Sequence, residues 1–255
     1  MLKTFIIDGE SGGAGKGVLA RVLADLYLHG WSEDYLPIPA PKVVVFDDVR
    51  RRISGPGGYP LGGRLIGVHT ICLESAAGWS RFGDLLEGYI HLAKDEEVRI
   101  ILPLPSQAGQ RVFGDHPTLA RDILAASNAI PVWALTTGPA SVGAFGSRIR
   151  HMPSIFAQGL AVKNLIFGHP DQFMDWDRST ERASLVEMGG WAEMEFPALC
   201  DDLKPLLLWH KSLDVIERYG QLSMGHRMVF SCWRRAAWEG LSLVEQIRGE
   251  ESHGQ

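Results

Sequence analysis

The chain has 255 residues, 45% of them hydrophobic and 22% charged, an ordinary globular composition with length for one large domain or two small ones. A net charge of −5 excludes the global basic signature of a nucleic-acid-binding chain. No apolar run approaches the roughly 20 residues of a membrane helix, so no membrane span is expected.

Residues 2–8 read as a buried strand and residues 18–26 as an amphipathic helix, with Val18, Val22, Leu23 and Leu26 on one face. Between them lies a glycine-rich loop, Gly9-Glu10-Ser11-Gly12-Gly13-Ala14-Gly15-Lys16-Gly17. Strand, glycine loop and helix are the context of a phosphate-binding loop. Glycines let backbone N–H groups close around an anion, the helix start adds partial positive charge, and Lys16 adds a full one. Against the consensus G-x-x-x-x-G-K-[ST], Glu10 takes the first glycine position and Gly17 the Ser/Thr position. That hydroxyl ordinarily holds Mg²⁺. The loop therefore reads as able to grip phosphate but poorly equipped to place the metal. Two other readings stand beside it. Gly9-Glu10-Ser11-Gly12-Gly13 also fits the G-x-S-x-G nucleophile elbow of serine hydrolases, although that elbow follows several strands and Ser11 has almost no chain before it. The segment also fits a plain glycine turn, which leaves Lys16 unexplained.

Residues 30–41, with Gly30, Pro37, Pro39 and Pro41, read as a connection. Residues 42–48 form a second strand ending in Asp47 and Asp48. Ligands in open α/β sheets sit at such carboxyl ends, so one of the two acids faces the phosphates, or the pair caps a turn. Arg50, Arg51 and Arg52 then precede a long glycine-rich segment at 55–63. The triplet suits phosphate, an acidic partner, or a solvated face. Residues 66–94 are mainly helical by pattern, with Trp79, Phe82, Leu85, Leu86 and Ile90 at helical spacing. Residues 98–105 are a third strand, without the acid a P-loop ATPase carries near its end.

A helix follows at 117–127, a fourth strand at 130–137, a helix opened by Pro139, and a fifth strand at 160–167. Strands alternating with helices predict βαβ units and a mostly parallel sheet. A short extra strand is expected at 192–196, and helices from Pro197 to near Gly249. The last, about 226–248, carries Val229, Trp233, Ala237, Leu241 and Val244 on one face, either core or a partner surface. The expected organisation is a three-layer α/β core over 1–200, packed C-terminal helices over 201–249, and a disordered tail over 250–255.

Cys72, Cys200 and Cys232 are far apart with no C-x-x-C, which points to a reduced, cytoplasmic setting. The chain runs directly into a strand without a cationic, apolar leader pattern, so no signal peptide is expected. Nine histidines are scattered without H-E-x-x-H, and no metal site is assigned to the protein.

With these elements placed, the chain resembles the ParA/MinD superfamily of deviant-Walker ATPases. More narrowly, it is similar to the plasmid stabilisation and transfer branch, the StbB-like and TraL-like proteins. The resemblance covers roughly residues 2–205 and is anchored on residues 7–17, against a family pattern K-G-G-x-G-K-[ST]. Residues 42–48 lie where the family's acid-ended second strand lies, and 99–107 where its Walker B strand and following turn lie. Val162-Lys163-Asn164 is similar to the strand whose Asn reads adenine, and residues 168–197, with Phe173, Asp175, Ser179, Arg182 and Pro197, to a stretch of the branch.

The resemblance implies ATP or ADP held by the loop Ser11, Gly12, Gly13, Ala14, Gly15, Lys16, Gly17 and Val18, with Asn164 on the base. It gives Lys16, Asp47 and Asp48 the catalytic roles, the acids orienting water or the Mg²⁺ shell. Ser11 stands where the family has its signature lysine. The implied function is a nucleotide switch or adaptor in plasmid or DNA partition, stabilisation or conjugative transfer, with weak or absent ATP hydrolysis. Its partners would be proteins of such a system, with DNA contacted indirectly and a homodimer possible. The alternatives are a nucleotide-free scaffold and a small-molecule phosphotransferase using Asp84, Glu87, Asp171 or Asp175. Arg50–Arg52 and Arg234-Arg235 are the basic clusters to test for DNA.

Overall fold

The computed structural model describes residues 1–10, 12–30, 38–48, 63–105, 117–209, 212–218 and 222–247, with the backbone alone at 48, 186–188, 208 and 209. The strands are β1 (Leu2–Gly9), β2 (Lys42–Asp48), β3 (Leu65–Ile71), β4 (Val98–Pro103), β5 (Ala129–Leu135), β6 (Gly159–Asn164) and β7 (Trp191–Phe196). The helices are α1 (Lys16–Asp25, prolonged by a π-helical turn Leu26–Gly30), α2 (Ala76–Leu92), α3 (Pro117–Ala126) and α4 (Pro139–His151). After β6 come α5 (Met174–Asp177) and α6 (Thr180–Met188), and after β7 come α7 (Lys204–Trp209), α8 (Leu213–Glu217) and α9 (Met224–Leu241).

The described strands form one seven-stranded sheet in the order β3-β2-β4-β1-β5-β6-β7. Every pairing is parallel. β1, at the centre, is buried along its whole length, as a parallel strand covered on both faces must be. Its side chains alternate between two cores. Phe5 and Ile7 join Leu19, Val22 and Leu23 of α1 and Phe230, Trp233 and Leu241 of α9. Leu2 and Ile6 join Trp79 and Phe82 of α2, Leu124 of α3 and Phe145 of α4. The molecule is thus an α/β three-layer sandwich.

The order also fixes where the chain reverses. After β1 the chain runs through α1 to β2, on one side of the sheet centre; after β4 it runs through α3 to β5, on the other. Right-handed crossovers in opposite directions put α1 and α3 on opposite faces. The carboxyl end of β1 therefore lies at the switch point, where open α/β sheets leave a crevice.

Residues 66–94 are not one helix. Leu65–Ile71 is an edge strand paired with β2, and α2 begins only at Ala76, where the Ser75 hydroxyl accepts from the Gly78 N–H at 3.2 Å. The stretch Leu-Ile-Gly-Val-His-Thr-Ile is rich in β-branched residues and has too little local helical drive to compete with the β2 edge. The fifth strand stops at Asn164, whose side chain accepts from the Ile166 N–H and turns the chain into a short 3₁₀ turn. The short extra strand is present as β7, parallel to β6.

The C-terminal helices are part of the core that contains α1. Two buried ionic clusters fix them. Arg99, 0% exposed, donates to Glu245 at 2.6 Å, and Lys3 lies 3.3 Å from the same carboxylate, which also accepts from Tyr27 Oη at 2.6 Å. Burial pushes the Glu245 carboxyl up, but Arg99, and then Lys3 and the Tyr27 hydroxyl, outweigh it and hold it below its ordinary range. The second cluster joins Arg234 of α9 to Asp25 of α1. Among the described residues, no helix is long and apolar enough to cross a membrane, and all three cysteines are free thiols.

Candidate functional site

The loop after β1 lies at the switch point. Gly13 and Gly15 take φ values of +97° and +94°, a left-handed conformation that side-chain-bearing residues adopt only at a cost. Gly15 is the N-cap of α1. No side chain caps this helix start, and the Gly15 carbonyl accepts from Val18 and Leu19. First-turn amides of a helix have no acceptor within it, so those of α1 are left for an outside oxygen. Lys16 occupies the first helical position and is 2% exposed. Its Nζ turns back over the loop to within 3.4 Å of the Gly9 carbonyl oxygen.

The loop is pinned at three points. Asp8, 1% exposed, accepts from Gly9 N–H at 2.8 Å and from Arg148 Nε of α4 at 2.7 Å. Glu10, half-buried, accepts from Thr136 Oγ1 just past β5 at 3.2 Å. Asn164, at the end of β6, donates through Nδ2 to the Ala14 carbonyl at 3.0 Å. Gly12 and Gly13 are exposed between these anchors.

Beside the loop opens a cleft of about 220 Å³. Gly13, Gly15 and Asn164 line it on the loop side. Its apolar walls are Val18, Ile166, Phe167, Phe196, Pro197, Leu199, Leu207 and Trp233, and Lys204 also lines it. It is an apolar slot next to a row of loop amides, a combination suited to a flat ring joined to an anionic group, and the Lys204 ammonium beside it is paired with Asp201 at 2.6 Å.

The loop residues Gly12, Gly13, Ala14, Gly15, Lys16, Gly17 and Val18 are contiguous here, and Asn164 joins them. Ser11 lies outside the described residues, as do Arg50–Arg52. Asp47 is elsewhere. It is buried at the carboxyl end of β2, and β4 separates β2 from β1. Two strand spacings of about 4.8 Å put it some 10 Å from β1. Strand alternation puts Asp47 on the same sheet face as Val43 and Val45, which pack with α1. Of Asp48 the backbone is described, as the last residue of β2. Asp84, Glu87, Asp171 and Asp175 are all exposed, and none lines the cleft.

Of the cleft walls, Val18 is read from the sequence as a site residue; Arg148, Thr136, Lys204 and the walls from Ile166 onward are not. No spacing rule links them to residues 9–18, because they arrive through the sheet order. Among the described residues, no group of three or more His, Cys, Asp and Glu is placed to hold a metal ion.

Compared with known proteins, the chain matches no protein-family model and no curated sequence.

Proposed function

We propose that this chain is a ParA/MinD-like nucleotide-binding protein that acts as a switch or adaptor in plasmid or DNA partition, stabilisation or conjugative transfer. It works in the cytoplasm with protein partners and turns ATP over slowly or not at all. The observation that carries this reading is the loop of left-handed glycines running into Lys16 and α1, beside an apolar cleft, at the switch point of a parallel sheet. Phosphate groups suit Gly12, Gly13, Ala14, Gly15 and Lys16, and a base suits the slot between Val18 and Phe196–Leu199. The bound nucleotide supplies the phosphoanhydride; the chain supplies amides, the Lys16 ammonium and an apolar wall.

The residues fit a Mg²⁺ ion poorly. Gly17 has no hydroxyl, and the Asp8 carboxylate is engaged by Arg148 and Gly9. Phosphoryl transfer depends on positioning and charge neutralisation, so such a site is expected to turn over orders of magnitude below ordinary P-loop ATPases.

Thermal melting with ATP, ADP or neither, with and without Mg²⁺, on wild type and Lys16→Ala tests the reading. A ligand that binds only the folded state at one hundred times its Kd stabilises by about 2.7 kcal/mol. That raises the Tm of a domain this size by roughly 5–10 °C. The expected result is a shift with nucleotide that Lys16→Ala abolishes. No shift under any condition overturns the reading.

A second reading, a scaffold that kept the fold and lost the ligand, is favoured by Glu10. Its carboxylate sits within the loop, where an incoming phosphate would meet like charge. It predicts melting indifferent to nucleotide.

A further inference from the structure

We infer that Asn164 is a positioning residue that tethers the phosphate loop. The inference rests on the phosphate-loop reading above and adds how the loop is kept in shape.

Both ends of the Asn164 amide are used within the chain. Nδ2 donates to the Ala14 carbonyl at 3.0 Å, and Oδ1 accepts from the Ile166 N–H at 3.3 Å. The residue is 3% exposed, so its orientation is held by burial as well as by these bonds. The tether also explains the residue beside Ala14. A Cβ on Gly15 would collide with Asn164 Nδ2, and Gly15 already requires a left-handed φ. Asn164 and Gly15 are therefore matched: the amide occupies the space a side chain at 15 would need.

The bond spans 150 residues and joins the end of β6 to the loop after β1. β5 lies between those two strands, so no ladder hydrogen bond links them directly. Without Asn164 the Ala14 carbonyl loses its partner and the loop gains freedom that any bound anion must remove.

The mechanism makes a prediction about ligands without a base. A tether lowers the ordering cost of the loop and so helps every ligand that uses the loop. A base reader helps nucleotides alone. Binding of ATP and of inorganic tripolyphosphate is measured calorimetrically on wild type and Asn164→Ala. Loss of one buried hydrogen bond predicts about three- to tenfold weaker binding, by the same factor for both ligands. ATP weakened with tripolyphosphate unchanged overturns the inference.

Asn164→Asp separates the two bonds without any ligand. The carboxylate keeps the size and the acceptor for Ile166 N–H but cannot donate to Ala14. Amide hydrogen exchange of the ligand-free protein is expected to rise at residues 12–15 while Ile166 stays protected. Unchanged exchange at 12–15 overturns the tether. If wild type binds neither ATP nor tripolyphosphate, the phosphate-loop reading fails, and the exchange result alone decides whether Asn164 holds the loop.

Discussion

Arg234 grips Asp25 with two nitrogens, Nε to Oδ2 at 2.6 Å and Nη2 to Oδ1 at 2.7 Å, across 209 residues of chain. The pair joins the last long helix to the helix that leaves the glycine loop. Trp238 Nε1 adds a third bond to the same carboxylate at 3.0 Å, and the guanidinium lies 4.5 Å from the Trp238 ring centre. Burial, the largest influence, pushes the Asp25 carboxyl up, and Arg234 offsets part of that rise.

Removing one partner alone should therefore be costly. Arg234→Met strands a buried carboxylate and is expected to cost about 3–5 kcal/mol at neutral pH. Adding Asp25→Asn, which keeps an acceptor for Trp238 and removes the charge, should recover much of that loss. Urea unfolding of the single and double variants checks it. A double variant no more stable than Arg234→Met would show that the charge was not the cause.

Glu245 should make stability depend on pH in the acid range. Its folded carboxyl titrates below the ordinary value of 4.5. Its contribution is thus complete above that value and is lost as pH falls through the lower folded one. Glu245→Gln is expected to destabilise by about 3 kcal/mol at pH 7. The gap between variant and wild type should close as the pH is lowered below about 4.5. Unfolding midpoints measured from pH 7 to pH 3 check the sign; a gap that widens in acid contradicts it.

Gly15→Ala tests the loop conformation. The added methyl meets both a left-handed φ and Asn164 Nδ2. The strain is about 1–2 kcal/mol, with a larger relative loss of nucleotide affinity. Parallel Tm and binding measurements distinguish the two effects. Full affinity in this variant would mean that the loop does not bind in the conformation seen here.

Gly17→Ser tests the missing metal ligand. Nothing lies within 4 Å of a Cβ at Gly17, so the substitution is accommodated. Serine also forms helix better than glycine, so stability should hold or rise by a few tenths of a kcal/mol. If the hydroxyl is what the site lacks, nucleotide binding becomes more Mg²⁺-dependent than in wild type. Equal Mg²⁺ dependence in both proteins would assign the deficit to the acids instead.

The sequence by itself determined the elements and the loop. Strand, glycine loop and helix at residues 2–26 are local: a short buried apolar run, glycines where φ must be positive, and Lys16 at the first helical turn all act within a few residues. The parallel α/β class followed from the same local periodicities. β3 was missed because an edge strand of seven residues carries little local signal, and its stability comes from β2. What only the tertiary structure decided is who holds the loop. Arg148 reaches Asp8 from 140 residues away, and Asn164 reaches Ala14 from 150. Glu245 neutralises Arg99 across 146. These partners are selected by strand order and burial, which bring remote polar groups together because a buried charge or carbonyl must be satisfied. No spacing rule along the chain encodes that requirement.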